Sequence, residues 1–210
     1  MRRFRIQYHK ENSIRYTSNL DVHKIWERWL RRAQLPISYS QGFHPQPKIN
    51  QAAPLPLGMI SSYELIDIWL DEDLTCEAVL LRLQGAQQPG MPITYIQIVE
   101  QKLPAMQSAL LSSTYQIHLL SDFSSEALQQ KVTDLLAQEH IQRERRGKFY
   151  DLRPLILDLQ SQKSAAGEDL LVVELCMQPG KTGRPDELVN ALNISQEDVL
   201  IERIALNLPA

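Results

Sequence analysis

The chain has 210 residues, 43% of them hydrophobic and 22% charged, with a net charge of −3. That composition belongs to folded globular proteins and excludes a disordered tail, a collagen-like repeat or a coiled coil as the main body. At about 150 residues per domain the length predicts one large domain or two small ones, and no run of about 18 apolar residues is present to span a membrane.

The first element in chain order is a strand. Residues 3–8 (Arg-Phe-Arg-Ile-Gln-Tyr) alternate polar and apolar side chains, and residues 14–16 are expected to continue it after a turn at 11–13. Ser18 is a natural N-cap, with Asp21 three positions later. Val22, Ile25, Trp26, Trp29, Leu30 and Ala33 then recur at helical spacing, until Pro36 ends the element. Leu20 is expected to join that apolar face. Residues 39–47 (Tyr-Ser-Gln-Gly-Phe-His-Pro-Gln-Pro) form a rigid loop, 48–53 a short strand, and 63–70 a longer one. Thr75 caps a helix holding Val79, Leu80 and Leu83, with Gly85 just past its end, and 94–99 is again a strand. The order is β-α-β-β-α-β.

The second half repeats that order. Residues 114–120 read as a strand, and Ser124 or Ser125 caps a helix with Leu128, Val132, Leu135 and Leu136 on one face. Residues 141–152 read as a hairpin turning at Gly147, while 155–159 fits a strand or a helix and 160–168 a polar loop. Residues 170–177 form a strand, Pro185 takes the first position of a helix, and 200–206 closes the set. The expected fold is therefore α+β: two tandem ferredoxin-like (β-α-β-β-α-β) modules, over 1–103 and 104–210.

Charge is distributed unevenly. Residues 1–50 hold ten lysines and arginines against three acids, a net +7, so the other 160 residues carry −10. A basic island returns at Arg143, Arg145, Arg146, Lys148 and Arg153. Such patches mark either an anionic partner or a solvated face kept soluble by charge. Two segments add planar rings to the cations. In the loop, Tyr39, Phe43 and His44 lie beside Lys48; in the hairpin, Phe149 and Tyr150 follow Arg145, Arg146 and Lys148. Rings that stack on bases beside cations that meet phosphates are the chemistry of single-stranded RNA binding. The RNA-binding candidates are Arg15, Arg31, Tyr39, Phe43, His44, Lys48, Arg145, Arg146 and Arg153.

Catalytic signatures are missing. Cys76 and Cys176 have no neighbouring ligands at finger spacing, so no metal or other cofactor is expected. Gly180-Lys181-Thr182 has Leu175 where a phosphate-binding loop needs its first glycine. His44, the one histidine in the suspect loop, is the sole candidate acid or base. Two distant cysteines and a basic start without an apolar stretch after it point to the cytoplasm, with no secretory leader.

Several phrases together resemble the radical SAM-linked (radical SAM-associated) family, a bacterial domain of unknown function. They are Arg15-Tyr16-Thr17-Ser18-Asn19-Leu20-Asp21, Tyr39 through Lys48, Pro54-Leu55-Pro56-Leu57-Gly58, Tyr150-Asp151-Leu152-Arg153-Pro154, and Arg184-Pro185-Asp186-Glu187. The family loop usually reads Gly-Phe-Asn-Pro-His-Pro-Lys; this chain departs from it at His44 and Gln46. The resemblance implies a radical SAM protein as partner, fused or separately encoded, and a connection with RNA. The expected function is a non-catalytic RNA-binding or substrate-presenting accessory of a radical SAM enzyme. The alternatives are a protein-docking module only, or a metal-independent endoribonuclease resembling CRISPR repeat-processing enzymes, with His44 as acid or base and Lys48 or Arg15 holding phosphate.

Overall fold

The computed structural model describes residues 1–121, 123–145 and 147–209. The chain divides into two compact units, Met1–Ala109 and Leu110–Ala210, and is a mixed α+β structure.

In unit 1, β1 (Arg2–Lys10) pairs antiparallel with β3 (Ile60–Leu70) on one side and with β4 (Ile93–Val99) on the other. The short β2 (Ile49–Gln51) pairs with β3, giving the order β4-β1-β3-β2. Alternation places Phe4, Ile6 and Tyr8 on one face, in register with Ile68 and Ile66. Onto that face packs α1 (Asn19–Arg32), whose cap Ser18 accepts a hydrogen bond from the Asp21 amide; such a cap contributes about 1 kcal/mol. The helix buries Val22, Trp26, Trp29 and Leu30. Trp26 stacks on Trp29 at 4.7 Å between ring centroids and meets Tyr8 edge-on at 5.0 Å. The Trp29 indole donates to the Leu83 carbonyl in α2 (Cys76–Gly85), which Thr75 caps. A one-turn helix, α3 (Met106–Ala109), ends the unit.

Two local expectations change. Residues 14–16 do not continue the strand: the expected turn is a 3-10 turn at Asn12–Ile14, and the Lys10 ammonium donates to the carbonyls of Arg15 and Thr17, folding the chain back on itself. Leu20 is 74% exposed, because it falls in the first turn of α1 away from the sheet.

In unit 2, β5 (Ser112–Leu119) lies between β9 (Asp169–Gln178) and β11 (Val199–Asn207), all antiparallel. The other side of β9 pairs with β8 (Ile156–Lys163) and with the two-residue β10 (Lys181–Thr182). Two helices complete the unit, α4 (Ser125–Leu136), capped by Ser124, and α5 (Pro185–Ala191). Residues 155–159 resolve into a 3-10 turn, Arg153–Leu155, and then β8. That strand runs on to Lys163 through part of the expected polar loop. Only Ile156 and Leu159 need burial on a strand paired along one side, so its remaining side chains are free to be polar. Separate from this sheet, β6 (Gln142–Arg145) and β7 (Lys148–Asp151) form a hairpin turning at Gly147, whose φ of 74° favours glycine. Cys76 and Cys176 are free thiols. No helix among the described residues is long and apolar enough to cross a membrane.

Candidate functional site

Unit 1 presents the loop at 39–48. Its base is a small ladder: the Ser38 amide donates to the Trp69 carbonyl, the Lys48 amide to Ser38, and the Ser40 amide to Gln46. The Gln46 amide returns a bond to the Ser40 hydroxyl. Beyond this ladder Gly42 adopts φ 131°, and the Phe43 ring is fully in solvent, at 102% relative exposure. Tyr39 and His44 are also exposed, while the Lys48 ammonium rests 3.6 Å from the Met1 sulfur. These four residues share one loop. Arg15 and Arg31 do not join them as a pair: Arg15 precedes α1, stacking over the Tyr16 ring at 4.8 Å, and Arg31 lies in its last turn. A helix of 14 residues separates them by about 21 Å.

Most other cations of the N-terminal stretch are held by the protein itself. Arg3 is 1% exposed and Asp67 is fully buried. Arg3 binds Asp67 at 3.0 Å through Nε and also donates to the carbonyls of Leu103 and Pro104. Arg5 meets the other oxygen of Asp67 at 2.9 Å. Arg2 pairs with Asp73, and Arg32 donates to Gln87 and Gln88.

Unit 2 contains a cleft of about 740 Å³ between the β6–β7 hairpin and the turn joining β9 to β10. Arg145 and Lys148 line one wall, and Lys181, Thr182 and Arg184 the other. Leu155, Leu157 and Cys176 supply apolar surface. The register sets Arg145 directly opposite Lys148 at the hairpin tip. Asp151 also lines the cleft, but both its oxygens are occupied. One accepts from the Ile141 and Arg153 amides, and the other lies 2.7 Å from His140 Nδ1. Those hydrogen bonds, the one from His140 first, hold its carboxyl below the usual aspartate value. Burial, followed by the charge of Glu187, pushes the Tyr150 hydroxyl above the usual tyrosine value, so it stays protonated. Among the described residues, no three His, Cys, Asp or Glu side chains converge on a metal-sized site.

Residues 3–185 match the model of a bacterial family described as "Uncharacterized protein conserved in bacteria (DUF2344)". The chain belongs to this family. No curated protein matches it. Among solved structures it is similar to a chain of a Cbf5-Nop10-Gar1 complex at 10% identity and TM-score 0.44, covering 88% of this chain and 45% of that one. It thus spans less than half the length of that first match. A protein provisionally described as a glycine cleavage system transcriptional repressor matches at 13% identity and TM-score 0.25, over 98% of this chain and 96% of that one. A provisionally assigned dyp-type peroxidase from Shewanella oneidensis matches at 9% identity and TM-score 0.24, over 92% and 83%. None of these likenesses reaches a level at which a shared fold follows.

Of the unit 2 candidates named from sequence, Arg145 lines the cleft. Arg153 turns away from it, its Nε donating to the Leu136 carbonyl at the end of α4. Arg146 lies outside the described residues. The far wall was missed, although the Gly180-Lys181-Thr182-Gly183 stretch signals it: a glycine turn carrying a lysine three residues after the end of a buried strand.

Proposed function

We propose that the protein is a non-catalytic RNA-binding accessory that presents its RNA to a radical SAM enzyme. The observation carrying this reading is the unit 2 cleft, where four cations surround an apolar floor and the one lining carboxylate is already engaged. Fixed cations suit phosphates, and apolar walls suit the faces of bases. The exposed Phe43 offers a second stacking surface. The partner enters through the sequence resemblance. A radical SAM cluster needs more thiolates than this chain's two cysteines provide, so the partner holds it, while this chain binds and orients the substrate. We read each unit as a ferredoxin-like module. Supporting this, unit 1 orders its strands β4-β1-β3-β2, and unit 2 orders the equivalent strands β11-β5-β9-β8. Free thiols agree with a cytoplasmic location.

The test is affinity for single-stranded RNA across a series of salt concentrations. Log affinity is expected to fall linearly with log salt, and Lys148→Ala and Lys181→Ala each to reduce the slope by about 0.7. Absence of binding at low salt overturns the reading in favour of a protein-docking module.

One observation favours an endoribonuclease instead, through His140 rather than His44. Asp151 holds His140 Nδ1 in the geometry that orients a general base, whereas His44 makes no hydrogen bond among the described residues. RNA cleavage lost in His140→Ala and kept in His44→Ala would select that reading.

A further inference from the structure

We propose that the unit 2 cleft is a phosphate-monoester site, taking the terminal phosphate of an RNA strand or the phosphate of a free nucleotide. The first form rests on the RNA-binding reading above. Two side-chain donors in the cleft lining, Tyr150 Oη and Arg184 Nε, are buried and have no hydrogen-bond partner among the described residues. Buried donors are almost always satisfied, so an unpaired pair in one cleft points to an acceptor from outside. Arg145, Lys148 and Lys181 form no ion pair among the described residues, unlike Arg2, Arg3 and Arg5 of unit 1. Moreover, Arg145 and Lys148 face each other across the hairpin, a like-charge pairing that costs stability until an anion lies near it.

The choice of a monoester follows from counting charge and acceptors. A phosphate monoester carries close to two negative charges and three acceptor oxygens. An internal diester carries one charge and two free oxygens. Three unpaired cations and two orphan donors around one bounded space fit the former. The space itself falls within the range of about 300–1,000 Å³ that takes ligand-sized molecules, so a terminal nucleotide fits with its phosphate. Leu155 and Leu157 offer the base an apolar surface. Asp151 does not compete for the cleft's cations, since its oxygens are committed to His140 and to two amides, and the Glu187 and Asp186 carboxylates near Tyr150 are paired with Arg143 and Arg184.

The experiment uses the full chain and one short single-stranded RNA prepared with a 5′-phosphate, with a 3′-phosphate, or with hydroxyls at both ends, together with 5′-AMP. Fluorescence anisotropy and calorimetry read the affinities. One phosphorylated RNA is expected to bind about tenfold tighter than the hydroxyl-ended one, the yield of one further charge-assisted hydrogen bond. Tyr150→Phe is expected to bring that ratio close to one. So is Lys181→Ala, in the exposed two-residue strand β10, where folding is not at stake. Equal affinity for all three RNAs overturns the monoester site while leaving RNA binding intact. Binding of 5′-AMP without any RNA binding supports the site as one for a free nucleotide and overturns the RNA reading. Failure of every probe overturns both.

Discussion

In β1, Arg5 stands opposite Asp67 in the strand register, and Arg3 reaches the same carboxylate from two residues away. In the β6–β7 hairpin, Arg145 stands opposite Lys148, and neither has an acidic partner among the described residues. Both regions are rich in arginine next to aromatic rings, and they use the cations in opposite ways. β1 turns two arginines into internal struts, one of them also bonded to the carbonyls of Leu103 and Pro104. The hairpin leaves its cations facing a cleft. Density of charge along the sequence therefore does not locate a binding surface. Cross-strand register does, because it decides whether an acid already sits within reach.

The sharpest way to break this comparison is to remove Asp67. Asp67→Ala leaves Arg3 buried without its counter-ion and is expected to cost about 3–5 kcal/mol, measured by denaturant unfolding. A loss below about 1 kcal/mol would mean that Arg3 is not a strut. Asp151→Asn is expected to destabilise the protein by less than Asp67→Ala does, by weakening the hydrogen bonds at the hairpin base. A pH series checks the same group. Its carboxyl is held below the usual aspartate value in the folded protein, so its stabilisation is complete above that value and is lost as pH falls through the lowered one. Protection of the Ile141 and Arg153 amides, taken relative to the intrinsic exchange rate at each pH, should fall in that acidic range, and unchanged protection there would refute the assignment. On the hairpin the sign reverses. Lys148→Gln removes a like-charge pair and should raise stability by about 0.2–1 kcal/mol, while weakening RNA binding in the salt series. The smallest effect on stability is expected at Phe43, where Phe43→Ala should stay within about 0.5 kcal/mol. A larger loss in thermal unfolding would show that the ring packs against the fold.

How much of this was legible in the sequence depended on distance along the chain. Ser18, Thr75 and Ser124 cap helices through amides three residues ahead, and Gly147 turns a hairpin between adjacent strands. All four are local and readable from residue type. Residues 14–16 were misread because the folding back depends on the Lys10 ammonium reaching two carbonyls, which strand alternation does not reveal. The Arg3–Asp67 pair spans 64 positions and was not legible at all. The candidate site was half legible. Its near wall, at Arg145, Lys148 and Tyr150, showed in the mixture of cations and rings. Its far wall, at Lys181 and Arg184, comes to the hairpin only through the pairing of β9 with β10.

All three tryptophans of the chain, Trp26, Trp29 and Trp69, belong to unit 1. The first two are a stacked, buried pair, and the third lies under the Arg3 guanidinium at 4.9 Å. The molecule thus carries an optical label on one half only. Tryptophan emission follows the melting of unit 1 and ignores unit 2, whereas far-ultraviolet circular dichroism records both. Midpoints that coincide would mean the halves unfold as one cooperative block; midpoints that separate would measure, without any added dye, how far each half stands on its own.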